Sequence, residues 1–186
     1  MTVLTKIIGV GLPKTGTNSL AAALELLGVS NIAHRPDLVL ERYRRSGRWE
    51  MGKLDACMDI NPWVLPAIRR SYPGAMLLHT IRPLKEWLAS CEAHFTRRPD
   101  HNQLGRLEIF GVTRWCQSAF TDTHRAHGRY VAEFFKQDIG PHTVFDVRDG
   151  WPPLCGALDI PAPPQSFPHK NEQGVRNKWK PNAYKS

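Results

Sequence analysis

Apolar runs of strand length alternate along this chain with longer stretches of helical period. Lys6 to Gly11 (KIIGVG) predicts a buried strand, and a helix follows from about Gly16 to Leu27, stopped by Gly28. Residues 54–59 (LDACMD) predict a second, less apolar strand, after which Asn61-Pro62 suits the opening of a helix. Residues 75–81 (AMLLHTI) read as a strand introduced by the turn Tyr72-Pro73-Gly74, with a helix from Pro83 to about Cys91. Leu104 to Lys136 is a long, partly amphipathic helical stretch, broken near Gly111 or Gly128, and residues 143–147 (TVFDV) give a fourth strand. Strand then helix, four times over, predicts an α/β protein with a central parallel sheet in three α/β/α layers. Ligands of such sheets bind at the carboxyl ends of the strands.

The pattern stops at Ala162, where a proline-rich stretch gives way to a polar, basic end. A single domain over 1–186 is expected, with 162–186 as a tail or a loop ordered by a ligand. The 186 residues suffice for one sizeable core. Lys and Arg outnumber Asp and Glu by 25 to 17, a formal +8, which means either a solvated basic face or a binder of anions. Cys57, Cys91, Cys116 and Cys155 are scattered, as reduced packed thiols are, with no disulfide or zinc spacing. His124 and His127 sit three apart on a predicted helix, but no carboxylate or cysteine joins them at metal-ligand spacing. No apolar run approaches a membrane span and no signal-peptide pattern opens the chain. A soluble, cytoplasmic protein is expected, with no membrane or nucleic-acid partner.

The chemistry concentrates in GLPKTGTNSL, Gly11 to Leu20. A strand ends at Gly11 and a helix begins near Gly16, so the turn's N–H groups and the helix dipole face an incoming anion. Lys14 adds a full charge, and Thr15, Thr17, Asn18 and Ser19 add donors. A plain turn capped by Thr15 is the other reading of the same residues. Gly11 and Gly16 keep the G-x-x-x-x-G spacing of a triphosphate loop, but Thr17-Asn18 stands where Lys-Ser/Thr should follow. A dinucleotide fingerprint fails too, because Lys14 occupies the position of its third glycine.

PKTGTNSL after a buried strand resembles the 5′-phosphosulfate loop of the sulfotransferases that use 3′-phosphoadenosine 5′-phosphosulfate (PAPS). LLHTIRPLKEWLAS, Leu77 to Ser90, resembles their 3′-phosphate motif, in which Arg82 and Ser90 would grip that dianion. DGWPPLCGALDIPAPPQSFPHKN, Asp149 to Asn171, resembles the carboxyl end of bacterial-type members. There Lys170, Asn171 and Arg176 would close over the nucleotide, while Trp151, Leu154 and Cys155 read as packing. The resemblance implies a P-loop nucleotide-binding fold and sulfuryl transfer from PAPS to a hydroxyl or amine of a small-molecule or glycan acceptor. Adenosine 3′,5′-bisphosphate (PAP) would be the product, and no metal is expected.

Within that reading Lys14, helped by the loop amides and Thr17, stabilises charge on the departing 5′-phosphate. DACMDINPW resembles the D-A-x-x-D-x-P segment of the bacterial branch, with Asn61 extending the spacing before Pro62. Asp55 and Asp59 lie four apart and in a strand would share a side, with Asp59 at the carboxyl end as the general base. Alternatively Asp59 caps the helix opening at Pro62. His34, His79 and Asp55 are alternative bases, although His79, mid-strand, also suits the core. A small P-loop kinase and a non-catalytic nucleotide-binding member of the fold are the competing functions. The displaced lysine argues against the kinase.

Overall fold

A computed structural model describes residues 5–34, 37–99 and 103–169, with the backbone alone for Asp37, Leu38 and Pro62. Within it the chain forms two compact units, Met1–Ile81 with Ile139–Ser186, and Arg82–Asp138.

The first unit is built on five strands, β1 (Ile7–Gly9), β2 (Ile32–His34), β3 (Ala56–Met58), β4 (Met76–Ile81) and β5 (His142–Asp146). Every pairing is parallel and the order is β2-β3-β1-β4-β5. Four strands fall where the apolar runs predict them, and β2 is an addition. Helices α1 (Thr17–Leu26), α2 (Asp37–Ser46) and α3 (Leu65–Ser71, after a 3₁₀ turn Pro62–Val64) connect them, and α7 (Trp151–Leu158) follows β5. Right-handed crossovers in this order put α1 on one face of the sheet and α2 and α3 on the other. The α1 face buries Leu20, Ala21, Ala23 and Leu24 against Leu78, Phe145, Trp151 and Leu154 in one cluster. β1 is apolar on both sides, with Ile7 and Ile8 buried, as a central parallel strand requires. This is the α/β/α class that the strand–helix alternation implies.

The second unit is helical: α4 (Leu84–Phe95), α5 (Gln103–Phe110) and α6 (Gln117–Gln137). Of the two glycines that could break the long helical stretch, Gly111 does so at φ 69°, while α6 runs through Gly128. Trp87, Phe95, Phe110 and Phe120 form its aromatic core, with Phe110 and Phe120 stacked at 3.9 Å between ring centres. Arg106 is buried there because its guanidinium lies 4.8 Å over the Phe95 ring and donates to the carbonyls of Arg98, Pro99 and Thr113. His124 and His127 have packing roles: His127 is buried, and His124 lies on Trp87 while its Nε2–H donates to the Arg82 carbonyl at 3.1 Å.

Candidate active site

The loop after β1 is shaped by a close approach. A Cβ on Gly11 would fall 2.0 Å from Thr80 Oγ1 on β4, so only glycine fits there. Thr15 is buried, its hydroxyl donating to the Leu12 carbonyl at 2.7 Å while Thr80 Oγ1 lies 2.7 Å away. Thr15 N–H bonds the same carbonyl at 3.2 Å. Among the polar residues of the loop, Thr15 thus holds the turn closed.

Lys14 has φ 75° and Gly16 φ 102°. Left-handed residues at alternate positions gather successive N–H groups into an anion-binding concavity. For a lysine this backbone costs roughly 1–3 kcal/mol, which persists only where the surroundings impose it. Gly16 is the N-cap of α1, and among the described residues no side chain caps the helix. The first intrahelical bond runs from Leu20 N–H to the Gly16 carbonyl at 2.9 Å, so the earlier amides project from the helix end. No acidic residue occupies that first turn, so its own side chains do not offset the dipole's positive end. Thr17 and Ser19 are buried in the same turn, with Asn18 half-buried between them.

The turn after β5 packs on this loop. A Cβ on Gly16 would lie 2.5 Å from a Val147 methyl, so a second glycine is fixed by contact as well as by φ. The next residue, Arg148, is held by Asp146, with Nε donating to Oδ1 at 2.9 Å and a terminal nitrogen to Oδ2 at 2.5 Å. In the sequence nothing marks this arginine beyond its place directly after a predicted strand. Beyond α7 the chain returns to the same edge. Trp151 Nε1–H donates to the Gln165 carbonyl at 2.6 Å, and Phe167 packs on Trp151 and against Gly150.

β3 delivers the candidate base. Asp55 and Asp59 flank a three-residue strand, one at each end. Asp55, at the amino end, accepts from the backbone and side chain of Asn31 at 3.2 and 2.9 Å, a structural task far from the loop. Asp59, just past the carboxyl end, has φ 55°, which breaks the strand's alternation. Its Oδ2 lies 3.0 Å from His34 Nδ1, at the end of the neighbouring β2. Its Oδ1 is buried and makes no hydrogen bond among the described residues. The capping alternative goes to another side chain, because Asn61 Oδ1 accepts from Trp63 N–H at 3.1 Å. Two of the base candidates, Asp59 and His34, thus form one contact. Register Ile8↔Cys57 puts the end of β3 level with the start of the β1 loop, so that pair and the loop share the sheet's carboxyl edge.

His79 is buried in β4. Arg82 and Ser90 belong to the second unit, Arg82 just before Pro83, the N-cap of α4, and Ser90 within the helix. Both are partly buried, and Arg82 Nε lies 3.7 Å from Glu86. Lys170, Asn171 and Arg176 fall outside the described residues. Among the described residues no group of three His, Cys, Asp or Glu side chains could hold a metal ion, and no helix is long and apolar enough to cross a membrane.

No curated protein matches the chain. A family profile described as a sulfotransferase domain matches residues 6–138 and 107–175. Since those matches together run through nearly the whole chain, from the first strand past the Trp151–Phe167 anchor, this protein belongs to the family of sulfotransferase domains.

Proposed function

We propose that this chain transfers a sulfuryl group from PAPS to a hydroxyl or amine of a small-molecule or glycan acceptor. The observation that carries the reading is the amino end of α1, which no described side chain caps, behind a loop whose Lys14 is held at positive φ, on the same sheet edge as Asp59. The loop amides with Thr17, Asn18 and Ser19 hold the 5′-phosphosulfate, and Lys14 stabilises the charge that develops on its bridging oxygen. The 3′-phosphate goes to Arg82 and Ser90 on the motif resemblance alone, as does closure by Lys170, Asn171 and Arg176. Asp59 takes the proton of the acceptor as its oxygen or nitrogen bonds to sulfur. The bond from sulfur to the 5′-phosphate oxygen breaks with its electron pair on that oxygen, giving PAP and a sulfated acceptor. The proton on Asp59 passes to water.

Thermal unfolding with PAP, AMP and ATP tests the donor, since a ligand bound only by the native state raises its stability with occupancy. PAP should raise the melting temperature without magnesium, and AMP far less. Equal shifts for PAP and AMP remove the 3′-phosphate assignment. A magnesium-dependent preference for ATP moves the reading to a kinase.

A further inference from the structure

We propose that His34 is the positioning residue of Asp59, fixing its carboxylate through Oδ2 so that Oδ1 is the atom that takes the acceptor's proton. The inference rests on the sulfuryl-transfer reading above and deepens it. Its ground is the 3.0 Å contact between His34 Nδ1 and Asp59 Oδ2, two side chains only 13% and 15% exposed. Because the partner is a carboxylate, Nδ1 carries the proton and donates it, which fixes the imidazole's tautomer.

Three features show that the contact is built and not incidental. β2 and β3 pair in register His34↔Met58, so backbone hydrogen bonding places the imidazole beside the residue preceding Asp59. The left-handed backbone at Asp59 then turns its side chain out of the strand's alternation and onto His34. Aspartate tolerates that conformation better than most residues, yet it still costs stability. Finally, the carboxylate performs no capping, because Asn61 supplies the acceptor for the following turn.

Burial makes the unused oxygen informative. A buried polar atom without a partner costs about 1–3 kcal/mol, so natural chains keep few of them. Asp59 Oδ1 is such an atom among the described residues. The rotation of a carboxylate about its last bond is broad and nearly two-fold. With one oxygen tied to His34, the other keeps a single direction. Without the tie the carboxylate turns freely and spends little time aligned. A misplacement on the order of 1 Å costs up to about a hundredfold in rate.

Substitution separates this role from a histidine that takes the proton itself. His34→Asn puts an amide N–H close to where Nδ1–H stood but offers no basic nitrogen, whereas His34→Leu offers neither. With labelled PAPS and a screened acceptor, His34→Leu should lower kcat by roughly 10- to 100-fold with the KM for PAPS unchanged. His34→Asn should recover at least about tenfold of that loss, a rescue that mere packing would not give. An asparagine variant as slow as the leucine variant, with both melting near wild type, makes His34 the base and overturns the proposal. Should His34→Leu fail to fold, the comparison of His34→Asn with wild type decides.

A second measurement needs no acceptor. In nitrogen-15 spectra of the wild-type protein, the protonated ring nitrogen of His34 should be Nδ1. In Asp59→Gly, a residue that accepts positive φ, it should shift toward the Nε2–H form. An unprotonated Nδ1 in the wild type overturns the proposal whatever the activity. Failure of the wild-type protein to bind PAP or transfer sulfate counts against the sulfotransferase chemistry instead, and the spectra still judge the pair.

Discussion

Thr80 Oγ1 lies 2.7 Å from Thr15 Oγ1, and both residues are buried. Thr15 spends its one hydroxyl proton on the Leu12 carbonyl, so Thr80 is the donor in this pair. The bond ties the anion loop to β4, the strand that also forces Gly11 by its closeness. Thr80→Val keeps the shape and deletes the donor. It should destabilise the protein by about 1–2 kcal/mol and weaken PAP binding several-fold, both read from melting curves with and without the nucleotide. Thr80→Ser restores the hydroxyl and should recover most of the loss. A valine variant indistinguishable from wild type would show that the loop holds itself closed.

Lys14 combines a strained backbone with a full charge inside the loop. Lys14→Met keeps most of the stem and removes the charge. Transfer should fall about a hundredfold or more, the size typical of losing one transition-state donor, while the protein still melts near the wild-type temperature. A near wild-type rate would make Lys14 a surface residue with an unusual φ.

The loop could be read from sequence because its signals are local. Two glycines, a lysine and four small polar residues fall within the nine positions Gly11 to Ser19, and Gly28, at φ 88°, stops α1 as a glycine after a helix does. β2 and α2 gave no such signal. Ile32-Ala33-His34 is three residues long, and α2 carries Arg42, Arg44 and Arg45, all exposed. α7 has a weak helical signature because it opens Trp-Pro-Pro, although prolines are at home in a helix's first turn, where their missing N–H costs nothing. The His34–Asp59 contact depends on that unread strand, since the pair is 25 residues apart and only the β2–β3 register brings it together. Asp59's positive φ has no local signature either.

Thiol chemistry should track burial. Cys57 is fully buried in β3, and desolvation pushes its thiol from 9.0 up to about 12. Cys155 is raised as well, by the same cause. Cys116 is lowered, first by the Ser118 hydroxyl beside it and then by the Ala119 backbone. At pH 8, iodoacetamide should modify Cys116 first, and Cys57 only when the protein unfolds. Because folding favours the neutral thiol of Cys57, its contribution is complete below pH 9 and is lost as pH rises from about 9 toward 12. Denaturant titrations across that window should show a shallower loss of stability for Cys57→Ala than for wild type. Equal slopes would mean that Cys57 is not the group responsible.

Asp59 carries the sharpest test of mechanism. At φ 55° a side chain such as alanine is strained, whereas asparagine is among the residues that adopt this conformation most readily. Asp59→Asn therefore keeps the backbone and, through its carbonyl oxygen, an acceptor for His34 Nδ1–H at 3.0 Å. It loses the capacity to take a proton. The variant should melt within a few degrees of wild type and still be stabilised by PAP, yet lose transfer by roughly a hundredfold or more, since a general base contributes about a hundredfold to ten-thousandfold. Asp59→Ala should lose transfer and also melt lower, because it adds backbone strain and leaves His34 Nδ1–H without its acceptor. The difference between the two melting temperatures isolates the structural part of Asp59's role, and the activity of the asparagine variant isolates the chemical part. Retained transfer in Asp59→Asn, with loss in His34→Asn, would assign the proton to the imidazole. Undiminished transfer in both variants would take the pair out of the reaction altogether.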